Sequence, residues 1–370
     1  MKTRAAICWE IGRDWSVEEI ELDPPRGAEV LVRLVASGLC HSDEHVLTGD
    51  LRFDLPIVGG HEGAGVVEAL GPDAHGLEVG DHVVFGFIPA CGRCPSCASG
   101  HENLCDLGAW MAAGLQIGDH TSRHHRHGRD LTTMCMLGTF AEHTVVHEAS
   151  CIRVDDHVDL HTACLLGCGV VTGWGSAVYA AQVTPGDSVA VVGIGGIGIN
   201  AVQGARLAGA EMIMAIDPVP WKRERAVEFG ATHTFADLTE ATPAIRELTW
   251  GRNCDKVILT VGVGRGDMIG PALRMTAKRG RVVVTNIHPV NEHTVSMSAI
   301  DLTLSEKQVV GSIYGSANPR ADIPKLLRLH GSGQLKLDEV VTRTYRLDEV
   351  NQGYEDMRAG RNLRGVLHFD

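Results

Sequence analysis

The chain has 370 residues, more than one ordinary core holds, which points to two domains of roughly 150 to 200 residues each. Hydrophobic residues make up 44% and charged residues 21%, the balance of a soluble globular protein, and a net charge of -13 argues against nucleic-acid or anionic-membrane partners. Eleven cysteines, an odd number, suit metal binding in a reducing cytoplasm better than a disulfide framework. The N-terminal MKTRAAICWEIGRDW carries charges where a secretory signal needs an apolar stretch. The uncharged run Ser188 to Ala205 holds five glycines with Asn200 and Gln203 and does not read as a membrane span.

Residues 29 to 90 read as short strands punctuated by turns. EVLVRLVASG is one strand run, and GAGVVEALGPDAHGLEVGDHVVFGF gives strand, Gly-Pro turn and strand. Many short strands close together favour a barrel-like unit. Residues 119 to 130, DHTSRHHRHGRD, read as a polar loop with four histidines: a solvated surface loop rather than a third metal site, with no thiol or acid fixed beside it. The pattern changes after about residue 170. SVAVVG is a buried strand run, followed by a helix (IGGIGINAVQGARLAGA) and a strand (EMIMAID). KVILTVG, RVVVTNI and VVGSIYG are further strands, separated by helix-like segments such as GDMIGPALRMTAK. This alternation predicts a parallel, doubly wound α/β sheet. The last fifty residues run helix (ADIPKLLRLHGSG), strand (VVTRTYRL), helix (LDEVNQGYEDMRAG) and strand (RGVLHFD).

Gly193, Gly195 and Gly198 form G-x-G-x-x-G between a strand and a helix, the context that a dinucleotide-binding turn requires. The first glycine makes the turn, the second admits a pyrophosphate, and the third packs helix on strand. Gly196 and Ile197 belong to the same phosphate-facing helix start. Asp217 ends the next strand nineteen residues after Gly198, where a carboxylate accepts from a ribose 2′-OH and favours NAD over NADP. Lys222 is near enough to support the ribose.

Cys91, Cys94, Cys97 and Cys105 stand at C-x2-C-x2-C-x7-C, which fits a closed tetrahedral zinc site that stabilises a loop and leaves no position for substrate. Unligated thiols or a redox pair are the other readings. GLCHSDEH, GGHEGAG and GCGVVTG offer Cys40, His61 and Cys168 for a second, open site. Spacing alone does not assemble these three, and a single cysteine is most often a small buried hydrophobe.

GLCHSDEH, GGHEGAG, the four-cysteine lobe, GCGVVTGWGSAV and GIGGIG together resemble the zinc-dependent medium-chain alcohol dehydrogenases, over nearly the whole chain. IPACGRC, TVVHEAS, GSANPRADIP and LDEVNQGYEDM are similar to the actinobacterial nicotinoprotein branch, named for nitrosodimethylaniline-dependent oxidation. The resemblance implies a GroES-like β-barrel catalytic domain (residues 1–169, with the zinc lobe at 91–105), a Rossmann domain (170–312) and a C-terminal segment (313–370) completing the first. It implies two zinc ions and NAD(H) per subunit, the NAD held tightly and recycled by an external electron acceptor. It implies alcohol or aldehyde substrates and a cytoplasmic homo-oligomer without nucleic-acid or membrane partners.

By position, Cys40, His61 and Cys168 match the catalytic zinc ligands, a Cys2His set for which alcohol dehydrogenase is the standard example. Glu62 matches the acid behind the metal, Asp43 the partner orienting His61, Ser42 the hydroxyl that takes the alcohol proton, and His45 the end of the proton relay. His41 and Arg364 match pyrophosphate contacts, and Thr172 lies where the family lines the nicotinamide. The implied reaction is oxidation of primary alcohols to aldehydes. A formaldehyde dehydrogenase acting on an S-hydroxymethyl thiol is the alternative. Its glutathione-dependent branch carries Arg four residues after the last lobe cysteine, where this chain has Ala109. Arg123 or Arg126 would then be anion contacts for another thiol. A binding protein without turnover would be favoured by loss of Ser42 or His45, and both are present.

Overall fold

A computed structural model describes residues 1–369. They form two compact units. The first contains Met1–Cys168, Asn318–Ser332 and the stretch from Leu337 on, and the second contains Gly169–Ala317 and Gly333–Lys336.

In the first unit, five strands close a small barrel in the order Lys2–Cys8, Ser16–Leu22, His124–Arg126, Arg129–Thr133 and Ile57–Val58. A seven-stranded sheet runs Cys151–Val154, His82–Phe85, Gly63–Leu70, Glu29–Gly38, Arg364–His368 and Val341–Arg346, and His143–His147 also pairs with Glu29–Gly38. EVLVRLVASG forms this long central strand because Val30, Val32 and Leu34 alternate into the core. They join a cluster with Trp15, Phe85, Phe140 and Tyr354. The C-terminal strand registers Val366 against Gly38, so the end of the chain lies beside the segment that leads into Cys40.

The histidine-rich segment is not a polar loop. His124–Arg126 and Arg129–Thr133 make a hairpin, and His124 and His125 register against Leu22 and Glu21, closing the barrel. Strand alternation turns His124 inward, where it is fully buried. Arg123 is buried as well. Its guanidinium donates to both Glu29 oxygens at 2.8 and 2.6 Å and to Asp119 at 2.8 Å. Arg126 donates to Glu18 at 2.8 Å. The Arg123 guanidinium is thus buried against carboxylates, which speaks against it as a substrate anion contact, while Arg126 stays part-exposed beside Glu18.

The second unit holds six parallel strands. Taken in chain order as Ser188–Val192, Met212–Ile216, His233–Phe235, Cys254–Leu259, Thr276–Val284 and Gln308–Gly311, they lie in the order 3-2-1-4-5-6. That is the doubly wound dinucleotide-binding order, with its switch point between Ser188–Val192 and Cys254–Leu259. The helix expected from GDMIGPALRMTAK is short, Ile269–Arg274, because Thr276 onward enters the next strand. Among the described residues no single helix is long and apolar enough to cross a membrane.

Candidate active site and metal centres

Tight local spacing brings the four lobe cysteines together. Pro95–Ala98 is a one-turn helix with Cys94 at its N-cap, and short 3-10 turns follow it, with Cys105 between them. The four sulfurs lie within 4.8 Å of one another. The Cys91–Cys97 and Cys94–Cys105 pairs are 3.9 Å apart, nearly twice a disulfide length. Sulfurs on a tetrahedral zinc stand about 3.8 Å apart, so the spacing suits that ion. Three backbone N–H groups, those of Cys91, Cys94 and Cys97, donate to Cys105, Cys91 and Cys94 sulfurs at 3.3 to 3.4 Å. Such donors favour thiolates. Backbone hydrogen bonds from Asp106 and Cys97 bring Cys94 down to about 6, while burial pushes Cys97 up to about 12.

The second group is assembled from distant segments. Cys40 precedes the helix His41–Thr48, His61 and Glu62 precede the strand Gly63–Leu70, and Cys168 follows a 3-10 turn, Cys164–Gly167. One ligand atom from each of Cys40, His61, Glu62 and Cys168 lies within 4.8 Å of the others, and all four residues are buried. Two sulfurs, an imidazole nitrogen and a carboxylate are donors that zinc accepts. All four belong to the first unit, whereas the glycine turn lies in the second.

The surroundings of this group carry charge. Asp43 is fully buried, its Oδ1 accepts from the Gly60 N–H at 2.8 Å, and its Oδ2 stands 3.0 Å from His61 Nδ1. That contact has ion-pair distance without the alignment of a hydrogen bond. Burial disfavours a charged His61, but the charges of Asp43 and Cys40 outweigh it and hold the ring well above the usual histidine value. Its hydrogen bond with Cys168 holds Cys40 well below the usual thiol range. Glu62 pairs with the buried Arg364, and burial still pushes its carboxyl up to about 7. Gly38 makes room for this pair: a Cβ there would lie 2.2 Å from Glu62 Oε2 and 3.0 Å from Arg364 Nη2. Arg364 therefore stands against the metal group.

Cys40 Sγ lies 3.6 Å from Ser42 Oγ. His41 is exposed at the start of the helix, and His45 is buried one turn further on. Sequence reasoning missed three contacts here. Tyr354 is buried and its hydroxyl donates to the Cys40 carbonyl at 3.4 Å. Phe87 presents its ring edge-on to His61 at 5.8 Å. His45 Nδ1 lies 3.1 Å from Asp50 Oδ2. Tyr354 is 314 positions from Cys40, beyond any spacing signal. Asp50 had a faint one, since Gly49 at φ 76° ends the helix and turns the chain back.

In the second unit, Gly193 adopts φ 94° at the end of its strand. A Cβ on Gly198 would lie 1.8 Å from the Gly193 carbonyl oxygen, so only glycine lets the helix Gly196–Leu207 approach so closely. A Cβ on Gly195 would meet no protein atom within 4 Å. The turn thus keeps an open face at Gly195, the N-cap of the helix that begins with Gly196 and Ile197, as a bound pyrophosphate requires. Asp217 Oδ2 accepts from the Ile194 N–H and Oδ1 from the Val219 N–H, both at 2.8 Å, which fixes its carboxylate beside the turn. Lys222 is half-buried, and burial lowers its pKa. Thr172 is buried, and its carbonyl accepts from Ser176 Oγ at 2.7 Å.

The comparisons agree with this arrangement. Residues 26–156 match the alcohol dehydrogenase GroES-like domain, and residues 196–331 match the zinc-binding dehydrogenase family. The chain is 51% identical over 367 residues to the NDMA-dependent alcohol dehydrogenase of Amycolatopsis methanolica, covering 99% of each chain. It is 47% identical over 370 residues to alcohol dehydrogenase B of Mycobacterium tuberculosis, covering 100% of this chain and 99% of the relative. The crystal structure of benzyl alcohol dehydrogenase from Acinetobacter calcoaceticus superposes with a TM-score of 0.93 at 30% identity, covering 100% of both chains. An alcohol dehydrogenase zinc-binding domain protein from Burkholderia ambifaria gives 0.93 at 34% identity, covering 100% of this chain and 99% of that one. With its GroES-like barrel and Rossmann sheet, the chain belongs to the zinc-binding, medium-chain alcohol dehydrogenase family and is an alcohol dehydrogenase.

Proposed function

We propose that the chain oxidises primary alcohols to aldehydes, and runs the reverse reaction, with zinc on Cys40, His61 and Cys168, a second zinc on the four lobe cysteines, and NAD on the glycine turn. The observation that carries this reading is the buried group of two thiols, one imidazole and one carboxylate. Zinc at that group supplies a Lewis acid that polarises an alcohol oxygen and eases loss of its proton. NAD supplies the hydride acceptor.

The protein's own groups do the rest. Asp43 faces His61 Nδ1, which leaves Nε2 as the ligating nitrogen. Ser42, beside Cys40, takes the proton that the alcohol loses, and His45 on the same helix passes it on. The Glu62–Arg364 pair supplies a carboxylate that adjusts the charge beside the metal group. Asp217 receives the ribose hydroxyls, an arrangement that excludes a 2′-phosphate and selects NAD.

As the resemblance to the nicotinoprotein branch implies, the NAD stays bound and is reoxidised in place by an external electron acceptor, a reading supported by the NDMA dependence in the name of the Amycolatopsis relative. The protein works in the cytoplasm as a homo-oligomer. An absorbance experiment tests this. Protein purified without added nucleotide is mixed with a primary alcohol, and the reduced-nicotinamide band is followed with and without free NAD. A single stoichiometric rise, unchanged by free NAD, is expected. Continuous turnover only with free NAD would reject the trapped cofactor and leave an ordinary soluble-cofactor dehydrogenase. Absence of any rise would reject primary-alcohol oxidation.

A further inference from the structure

A doubly wound sheet of order 3-2-1-4-5-6 offers a dinucleotide two halves to bind across. Asp217 follows Met212–Ile216, so the adenosine ribose of NAD belongs to the 3-2-1 side. The nicotinamide end then falls to the carboxyl ends of the fourth and fifth strands, Cys254–Leu259 and Thr276–Val284. Asn286 lies two residues past the fifth strand. Two backbone bonds bracket it. The Thr285 N–H donates to the Leu259 carbonyl at 3.2 Å, and the Gly264 N–H donates to the Ile287 carbonyl at 2.7 Å. The segments that follow both strands are thereby laced together on either side of Asn286. A Cβ on Gly264 would lie 1.9 Å from Asn286 Nδ2, so glycine there makes room for the amide. All of these residues belong to the second unit. Asn286 is only 9% exposed, and its Oδ1 is buried with no hydrogen-bond partner among the described residues. A buried acceptor left unpaired is destabilising. Kept at the ligand-binding edge of the sheet, it points to a donor that arrives with the ligand.

We propose that Asn286 holds the carboxamide of the bound nicotinamide, its Oδ1 accepting from the carboxamide NH2. The inference rests on the NAD reading above. An asparagine amide carries a donor and an acceptor side by side, as the carboxamide does, so the two are complementary. The torsion that carries the amide is soft, which lets the oxygen turn to the arriving NH2. The glycine turn and Asp217 recognise the ADP-ribose part of the cofactor, whereas Asn286 reads the end that reacts.

Fluorescence titration of protein stripped of nucleotide on charcoal tests this with three probes. They are NAD, its 3-acetylpyridine analogue, in which a methyl ketone replaces the amide and no N–H remains, and ADP-ribose, which lacks the ring. The wild type binds NAD about tenfold more tightly than the analogue, the worth of one hydrogen bond. Asn286→Ala binds the two alike, with ADP-ribose affinity and melting temperature unchanged. Asn286→Asp keeps the acceptor and with it the preference for NAD, because its added charge acts on both pyridinium rings and cancels in the ratio. A wild type that does not distinguish NAD from the analogue would overturn the proposal, and so would Asn286→Ala with the preference intact. Equal weakening of all three probes in Asn286→Ala would make the residue a support of the fold and overturn it too. Wild-type protein that binds neither NAD nor ADP-ribose would reject the NAD reading itself, and the proposal with it.

Discussion

The two cysteine-rich groups use similar donors in opposite settings. The lobe takes all four sulfurs from fifteen consecutive residues, two of them half-exposed, and steadies them with backbone N–H groups. The other group draws Cys40, His61, Glu62 and Cys168 from three segments, buries all of them, and surrounds them with Asp43 and Arg364. Four thiolates in a local loop make a closed knot that holds chain. A mixed, buried set with ionisable neighbours holds a metal whose charge can be tuned and whose coordination can change. The difference predicts that damage to one group is read as lost chemistry and damage to the other as lost stability.

The largest effect belongs to the buried group. His61→Ala or Cys168→Ala lowers alcohol oxidation by about a thousandfold or more, the several kcal/mol that a Lewis acid contributes. Zinc content, measured by mass spectrometry of the native protein, drops by one ion per chain while the melting temperature moves little. A retained rate would break the comparison outright.

The lobe gives the complementary result. Cys97→Ser removes a buried sulfur and with it one zinc. The melting temperature falls by about 5 to 10 °C, equivalent to roughly 2 to 3 kcal/mol for a domain of this size. The protein still folded keeps kcat within about twofold, because the lobe leaves no position for substrate. A loss of kcat at unchanged melting temperature would assign the lobe to the chemistry instead.

Asp43→Asn sharpens the contrast at an intermediate level. The Asp43 carboxylate lies 3.0 Å from His61 Nδ1 and would orient the ring for a metal on the proposed site. Zinc affinity at that group, measured by competition with a chromogenic chelator, falls by about ten- to a hundredfold, and the lobe zinc is unaffected.

These contrasts also explain what could be read from the sequence. The lobe was legible from spacing alone, since a loop of fifteen residues allows few other arrangements. Cys40, His61 and Cys168 were legible only through the family pattern, because tertiary folding, not spacing, brings residues 40 and 168 together. The doubly wound sheet followed from strand and helix periods, and Glu29–Gly38 follows its apolar alternation. The histidine-rich segment misled because its polar composition hides a hairpin. His124 and Arg123 are buried there, Arg123 by ion pairing to Glu29, and a buried, paired arginine looks like a surface residue in sequence. Asp50 escaped because a positive-φ glycine, not a helix face, returns it to His45.

The same division between holding and acting recurs inside the glycine turn, where it has its smallest and cleanest test. Gly198 is required by the fold, since an added methyl would lie 1.8 Å from the Gly193 oxygen. Gly195 has no such neighbour within 4 Å, so the protein itself does not demand glycine there. Gly198→Ala therefore lowers stability by about 1 to 3 kcal/mol, the usual cost of overpacking, visible in a urea melt. Gly195→Ala melts like the wild type but places its methyl where a pyrophosphate approaches the backbone. Its NAD dissociation constant rises about tenfold, or bound NAD is lost on dialysis, a change of roughly 1.4 kcal/mol that fluorescence titration resolves. If Gly195→Ala retains NAD unchanged, the open face of the turn is not where the cofactor sits, and the assignment of Gly196 and Ile197 to phosphate binding fails with it.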